Sequence, residues 1–292
     1  MALNYAKFIE DNFLIKDKQG KVVPFLLWNT QDRYLLDMKA HYGKELQGIR
    51  DIILKARKEG FSSFILAMFM TDFILSPDPI NSVCIADKKD ETKKLFERGK
   101  FLLASFLSKH KMTIEDLCVT VNINEITNKQ NGASFWIGTA GSRTAPRVES
   151  VQNLHFSEAA HFPDTDIITA RETIEGALQM VHQGTGKVFI ESTANGYGNY
   201  YQDLWSKAED KESEFRSVFF GADELYSPEW LEKKRRGFTT DDMFLQEYPN
   251  TPEEAFISSG SKFFDTTGIK YLQSIQREPI QIGSLTQWGE IN

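Results

Sequence analysis

The sequence predicts an α/β domain built on a mainly parallel sheet, and two observations predict it. Apolar β-type runs recur near residues 51–55, 82–86, 117–122, 133–138, 151–156, 187–191 and 216–220. Helical patterns lie between them, near 62–75, 88–109, 165–181 and 197–208. Strands that alternate with helices of this length imply parallel strands with helical crossovers. Ligands of such sheets sit at the carboxyl ends of the strands, so the residues just past each strand carry the most weight. No internal repeat or low-complexity segment is visible.

The pattern changes near residue 225. Ser227-Pro228-Glu229 reads as a helix start, 241–248 as another short helix, and Tyr248-Pro249-Asn250-Thr251-Pro252 as a rigid turn. The last thirty or so residues show no clear element pattern. The organisation expected is a core over 1–224, a small subdomain over 225–268 and a linker over 269–292.

Composition narrows the function classes. With 41% hydrophobic and 26% charged residues among 292, the chain is ordinary for a globular protein, and 22 Phe supply an aromatic-rich core. No run approaches the ~20 apolar residues of a membrane span, and residues 1–9 lack the pattern of a signal peptide. The expected location is the cytoplasm. Cys84 and Cys118 sit in apolar runs and read as reduced core thiols, and no His stands at a zinc-ligand spacing. A net charge of −7 argues against indiscriminate coating of nucleic acid but permits a local grip on DNA. Basic clusters occur at Lys93, Lys94, Arg98 and Lys100, at Lys109 and Lys111, and over 233–236; such runs are more often solvated helix faces.

Three segments carry chemistry. The first strand ends in Lys55-Ala56-Arg57-Lys58-Glu59-Gly60-Phe61-Ser62-Ser63, directly before an apolar helix. A strand, a tight loop and a helix N-terminus make an anion site, because unpaired N–H groups and the helix dipole face the ligand. Against G-x-x-x-x-G-K-[ST], the segment keeps Gly60 and Ser62 and has Phe61 in place of the lysine. The second segment is Leu154-His155-Phe156-Ser157-Glu158-Ala159-Ala160, where Glu158 can orient a water for attack on a phosphate or simply open a helix. The third, Phe189-Ile190-Glu191-Ser192-Thr193-Ala194-Asn195-Gly196, is another strand ending in small polar residues.

Taken together and in this order, these segments resemble the terminase large subunit family over about residues 25–265. The family's deviant phosphate loop, K-x-R-[QK]-x-G-x-[ST], is matched by Lys55, Arg57, Lys58, Gly60 and Ser62. Its Asp-Glu-Ala acidic motif is matched by Ser157-Glu158-Ala159, and its coupling motif by Ser192, Thr193 and Ala194. Pro24-Phe25-Leu26-Leu27-Trp28-Asn29-Thr30-Gln31 is similar to its adenine-contacting Gln motif. The run from Tyr248-Pro249 through Glu253-Glu254-Ala255-Phe256, then Ser259-Gly260 and Phe263-Phe264-Asp265, is similar to its exit from the ATPase lid.

The resemblance implies a P-loop ATPase core of the RecA-like class with a lid subdomain over 225–268. ATP would lie between Gln31, the 55–63 loop and Glu158, with magnesium on Ser62. Lys55 or Arg57 replaces the displaced lysine, and both remain open at this point. Ser157 stands where an Asp usually holds magnesium through its water shell, so it would help only through a water and without charge. Arg147, rather than Arg143, is the arginine expected to reach a neighbour's site in a ring. The implied partners are double-stranded DNA, portal protein and small terminase subunit, in the host cytoplasm and with no membrane. A homo-oligomeric ring is implied when active, while the isolated chain can be a monomer. No nuclease activity is expected, since only Glu278 and Glu290 follow Asp265 as carboxylates and a two-metal nuclease needs several. Two rivals are a helicase-like remodelling ATPase and a degenerate P-loop module that binds DNA or capsid without hydrolysis.

Overall fold

The first fifty residues precede the large sheet in the chain. They form α1 (Tyr5–Asn12), a hairpin of β1 (Leu14–Lys16) and β2 (Val22–Pro24), and α2 (Asn29–Tyr42). The computed structural model describes residues 3–17, 19–142, 150–166, 168–256, 275, 280–282 and 285–287. All seven apolar runs become strands of one eight-stranded sheet: β3 (Arg50–Lys55), β4 (Asn81–Ala86), β5 (Cys118–Val121), β7 (Ser134–Thr139), β8 (Asn153–Ser157), β9 (Lys187–Ser192) and β10 (Arg216–Phe220). The eighth, β6 (Glu125–Asn128), has no apolar run to announce it.

The order is β10-β3-β9-β8-β4-β7-β6-β5. Strands β10 through β7 in that order are parallel, and β6 and β5 close the far edge antiparallel. Helices α3 (Phe61–Leu75) and α4 (Lys89–Lys109) follow β3 and β4, and a one-turn α5 (Ile114–Leu117) precedes β5. Helices α6 (Ala170–Leu178) and α7 (Tyr200–Glu209) lead to β9 and β10. The sheet therefore has the parallel α/β architecture expected.

Element boundaries shift by a few residues from the sequence reading, and two of the shifts have a clear local cause. The helix drawn over 165–181 begins at Ala170, because Thr169 caps it reciprocally: Glu172 N–H donates to Thr169 Oγ1 at 3.1 Å, and Thr169 N–H donates to the Glu172 carboxylate at 2.8 Å. The strand drawn over 117–122 starts one residue later, because a Thr113–Asp116 capping box first turns the chain into α5.

Helix α3 is buried on nearly every side, as an all-apolar helix must be. Phe64, Phe69 and Phe73 fill the core on one face of the sheet, while Phe156, Ile174, Val188, Ile190 and Trp205 fill the other. Two polar knots pin the sheet. Asp72 of α3 accepts from Tyr5 Oη at 2.5 Å, Lys187 Nζ at 2.7 Å and Asn153 Nδ2 at 2.9 Å. Asp51 of β3, fully buried, accepts from Tyr34 and Tyr42 hydroxyls at 2.7 Å each and from Arg216 Nε and Nη2 at 2.9 and 2.8 Å. That second knot fixes the start of the strand whose far end carries the phosphate-loop residues.

Past β10, helices α8 (Pro228–Arg235), α9 (Asp241–Glu247) and α10 (Pro252–Ala255) follow. Tyr226, Phe244 and Tyr248 form their own small apolar cluster with Ala56 and Ala222. The chain divides into two compact units, 1–257 and 258–292. In the second, β11 (Ile280–Ile282) pairs antiparallel with β12 (Leu285–Gln287), within the stretch where the sequence shows no element pattern. Residues 259, 260 and 263–265, which carry the last part of the lid-exit motif, and Glu278 and Glu290 lie outside the described residues. No helix among the described residues is long and apolar enough to cross a membrane.

Removing the cation from the Asp51 knot would leave a carboxylate buried without its charge partner. Arg216→Met should lower stability by about 3–5 kcal/mol, measured by urea unfolding, whereas Arg235→Met, on a half-exposed surface pair, should change it little. Equal stability of the two variants would show that Asp51 is satisfied without Arg216.

Candidate functional site

The loop after β3 is shaped by backbone conformations that few residues tolerate. Lys58 (φ 65°) and Gly60 (φ 74°) both adopt positive φ. At Gly60 a Cβ would come within 2.8 Å of Gln31 Nε2, so only glycine fits there without displacing Gln31. Phe61, standing where a lysine is usual, is fully buried against Tyr34 and Phe220, with ring centroids 5.6 and 4.3 Å away. This position faces the core. A cation for the loop must come from elsewhere.

Lys55, the last residue of β3, supplies one. Its Nζ lies 3.1 Å from Glu158 Oε1 and 3.1 Å from Glu191 Oε2, with the side chain almost wholly buried. Burial opposes its charge, but the two carboxylates outweigh that and hold the ammonium above its ordinary range. Arg57 is engaged differently: its Nη1 donates to Glu247 Oε1 at 2.8 Å, and its side chain is half exposed.

Glu158 follows β8 in a left-handed conformation (φ 57°, ψ 46°), unusual for a residue with a Cβ. Besides Lys55, it accepts the Thr193 N–H on Oε2 at 3.3 Å. Ser192 Oγ accepts the Ala160 N–H at 3.1 Å, His161 Nε2 and Thr193 Oγ1 lie 3.2 Å apart, and Ala194 is buried beside them. The segment after β9 is thus bonded directly to the loop that carries Glu158.

Glu191 is the residue whose importance sequence reasoning missed. It lies on β9 opposite Ser157 of β8 and is fully buried. Its Oε1 accepts from Ser62 Oγ at 2.5 Å and Ser157 Oγ at 2.8 Å, and His155 Nε2 lies 3.3 Å from the same oxygen. Burial pushes this carboxyl up; Lys55 first, then His155 and Ser62, overcome that and hold it well below the usual carboxylate range. Its available signal was a carboxylate at the end of a buried strand.

These strand ends open into a cavity of about 1000 Å³. Gln31, Lys55, Arg57, Lys58, Glu59, Gly60, Phe61, Ser62, Ser63, Ser157 and Glu158 all line it, as do Trp28, Lys94 and Arg98. Part of the basic run on α4 therefore faces the cavity and not only solvent. Ala56 lies beneath, its N–H bonded to Phe220 O at 3.0 Å. Gln31 clamps the loop: its Nε2 donates to Gly60 O at 3.2 Å and Glu59 O at 3.4 Å, while its Oε1 accepts the Trp28 N–H at 3.1 Å. Arg143 and Arg147 lie outside the described residues. No cluster of three or more His, Cys, Asp or Glu suited to a metal occurs among the described residues.

This arrangement of strand ends, loop and subdomain has counterparts of known structure. The HK97 bacteriophage large terminase matches with a TM-score of 0.59 at 16% identity, over 83% of this chain and 50% of that one. The large terminase from a thermophilic bacteriophage, in complex with ADP, matches at 0.53 and 12% identity, over 77% and 53%. The same thermophilic-phage terminase in complex with ATP-gamma-S matches at 0.50 and 13%, over 76% and 52%. The fold is similar to that of part of these phage large terminases. The chain spans about half the length of these terminase structures. No protein-family model matches the sequence, and no curated protein does.

Within this terminase-type fold, Glu59 generates a test of its own. It is fully buried in the phosphate-type loop, and neither carboxylate oxygen has a hydrogen-bond partner. Burial, with Glu224 adding, pushes its carboxyl from 4.5 up to about 9 despite Lys55 nearby. Between those two values the folded chain holds a proton that the unfolded chain has released, so stability must fall as pH rises. Glu59→Gln removes this linkage. Relative to wild type it should gain up to about 1.4 kcal/mol per pH unit between pH 6 and pH 8, read from urea unfolding. A constant difference across that range would place the proton elsewhere.

Proposed function

We propose that this chain is the ATP-hydrolysing motor part of a viral DNA-packaging terminase large subunit. The observation that carries the reading is Lys55 Nζ bridging Glu158 and Glu191 at 3.1 Å under a positive-φ loop, in a terminase-type fold. The thermophilic-phage terminase structures with ADP and ATP-gamma-S support nucleotide as the ligand of the cavity. Gln31 would read the adenine edge with the second N–H and second lone pair that its bonds to the loop and to Trp28 leave over, and the 55–63 loop would cradle the phosphates. Lys55 is favoured over Arg57 as the phosphate cation, because Arg57 is engaged by Glu247 outside the cavity floor. Arg57 then keeps the loop in register as the reaction proceeds.

Hydrolysis transfers the γ-phosphoryl group to water. A bond forms from the water oxygen to phosphorus, the bond to the β–γ bridging oxygen breaks, and Glu158 polarises the water by accepting its proton in a hydrogen bond. Ser62, whose hydroxyl proton is given to Glu191, has its lone pairs available to magnesium, and Ser157 would act through a bound water. Magnesium, when bound, neutralises charge on the β- and γ-phosphate oxygens. The bonds from Ser192 and Thr193 to the Glu158 loop suit them, with Ala194, to coupling. The lid, taken as 225–268 between the core over 1–224 and a linker over 269–292, would move double-stranded DNA in a ring docked on portal protein. The small terminase subunit would deliver that DNA in the host cytoplasm.

Glu158→Gln keeps size and loses basicity, so phosphate release should fall by about 10²–10⁴-fold while ATP binding persists. Wild-type turnover in this variant would remove Glu158 from the active site. The same assay on wild type, with and without DNA, separates the rivals: no release in either condition marks a binding module, and unwinding of a tailed duplex marks a helicase.

Arg147 is proposed to act in the neighbouring subunit's site, where an arginine finger is worth about 10³–10⁵ in turnover. Arg147→Ala and Glu158→Gln proteins, each inactive alone, should regain partial ATPase activity when mixed under assembling conditions. Absence of rescue would assign Arg147 to its own subunit.

A further inference from the structure

We propose that the carboxylate which seats the nucleotide's divalent cation has moved from β8 to β9, and that Glu191 takes the part Ser157 cannot. The proposal rests on the ATPase reading and names a residue outside the motifs that suggested it. At a P-loop cation site, an acid at the end of a neighbouring strand and the loop hydroxyl act together. The strand that carries Glu158 offers only a serine there. Ser157 and Glu191 are register partners on adjacent parallel strands, so their side chains emerge side by side on one face of the sheet. A carboxylate lost at one position is recovered about one strand spacing away, on a side chain longer than Asp by one methylene.

The hydrogen bonds say what Glu191 does. Ser62 Oγ donates to Glu191 Oε1 at 2.5 Å, and Ser157 Oγ donates to the same oxygen at 2.8 Å. Both hydroxyl protons are thereby turned inward, toward the buried acid. The lone pairs of both hydroxyls are left for the cavity, where Ser62 and Ser157 are lining residues and Glu191 is not. Glu191 therefore acts as a positioning residue: it fixes the polarity of two neutral oxygens and adds a buried negative charge directly behind them. Its other oxygen holds Lys55, which places the phosphate cation and the metal-side hydroxyl on one carboxylate. Hard divalent cations take oxygen ligands and keep several waters, which suits two hydroxyls backed by an acid better than it suits a carboxylate cage.

The test is Mn2+ binding, followed by electron paramagnetic resonance in the presence of ADP, beside binding of fluorescent ADP in EDTA. Glu191→Gln should weaken nucleotide-dependent Mn2+ binding by about 10–100-fold, the usual effect of removing a partner behind a metal ligand, and change metal-free ADP binding, which feels Glu191 only through Lys55, by a clearly smaller factor. Returning the acid to β8, with Ser157→Asp and Glu191→Ser together, should restore Mn2+ affinity that Glu191→Ser alone lacks. Should Glu191→Gln fail to fold, the double variant decides, because it retains a carboxylate beside Lys55. Wild-type Mn2+ affinity in folded Glu191→Gln, or a folded double variant without restored affinity, overturns the relocation and leaves the ATPase reading intact. A wild-type chain that binds neither ADP nor Mn2+–ADP overturns both.

Discussion

A lysine ammonium buried between two carboxylates organises the nucleotide-type end of this sheet. Lys55, Glu158 and Glu191 come from three adjacent strands, β3, β8 and β9, in a sheet ordered β3-β9-β8 at that point. Burying any one of these charges alone would be costly, and an unpaired buried ion generally shifts its pKa to shed the charge. Held together, each has an opposite charge within reach, and the buried Lys55 and Glu191 stay ionised. Further cations line the cavity beside them, among them Arg57, Lys58, Lys94 and Arg98.

The loop above this triad is held as firmly from the side as from below. Arg57 N–H donates to Glu247 O at 2.8 Å, Tyr226 Oη donates to Arg57 O at 2.9 Å, and the Arg57 side chain bonds Glu247 again. Ala56 sits within the apolar cluster of Tyr226, Phe244 and Tyr248. The backbone of the phosphate-type loop is therefore bonded to the helical subdomain on both its donor and its acceptor side. A shift of Tyr226 or Glu247 would therefore disturb Arg57, which stands two residues from Lys55. On the other side of the cavity, Thr193 N–H reaches Glu158. The loop after β3 and the segments that flank the cavity share bonds, not merely proximity.

How much of this was legible in the sequence varies with the physics involved. The central strands β3, β4, β8 and β9 were, because a strand buried on both faces leaves a continuous apolar run in sequence, and the partly exposed β5 and β10 were through their β-branched and aromatic residues. Strand β6, reading Glu-Ile-Thr-Asn, was not, since it is formed by pairing near a sheet edge and alternates between buried and half-exposed residues. Helix α2 was not either: half of its surface is polar, and only Gln31 stood out. The short helix α1 depends on tertiary bonds such as Tyr5 to Asp72, which no local pattern announces. Among site residues, Lys55, Ser62 and Glu158 were legible from order and spacing. The choice between Lys55 and Arg57 was not, because both are basic and two residues apart; only strand direction and the reach of Glu247 separate them. Glu191 was invisible because its meaning lies in its register with Ser157, thirty-four residues earlier in the chain.

The two departures from the usual phosphate-loop pattern, Phe61 for lysine and Ser157 for aspartate, belong to one rearrangement. A lysine at position 61 would have to leave the core, where Phe61 packs on Tyr34 and Phe220. Moving the cation back to the strand end at Lys55 places it below the loop, deep enough to need counter-ions before any phosphate arrives. That ammonium and the Ser62 hydroxyl both need an acceptor at the strand ends. Glu191 serves both at once, one oxygen for each. Once the lysine is displaced into the floor of the sheet, an acid on β9 becomes the better-placed partner, and a hydroxyl at 157 becomes an asset, because it donates to that acid where a second carboxylate would repel it.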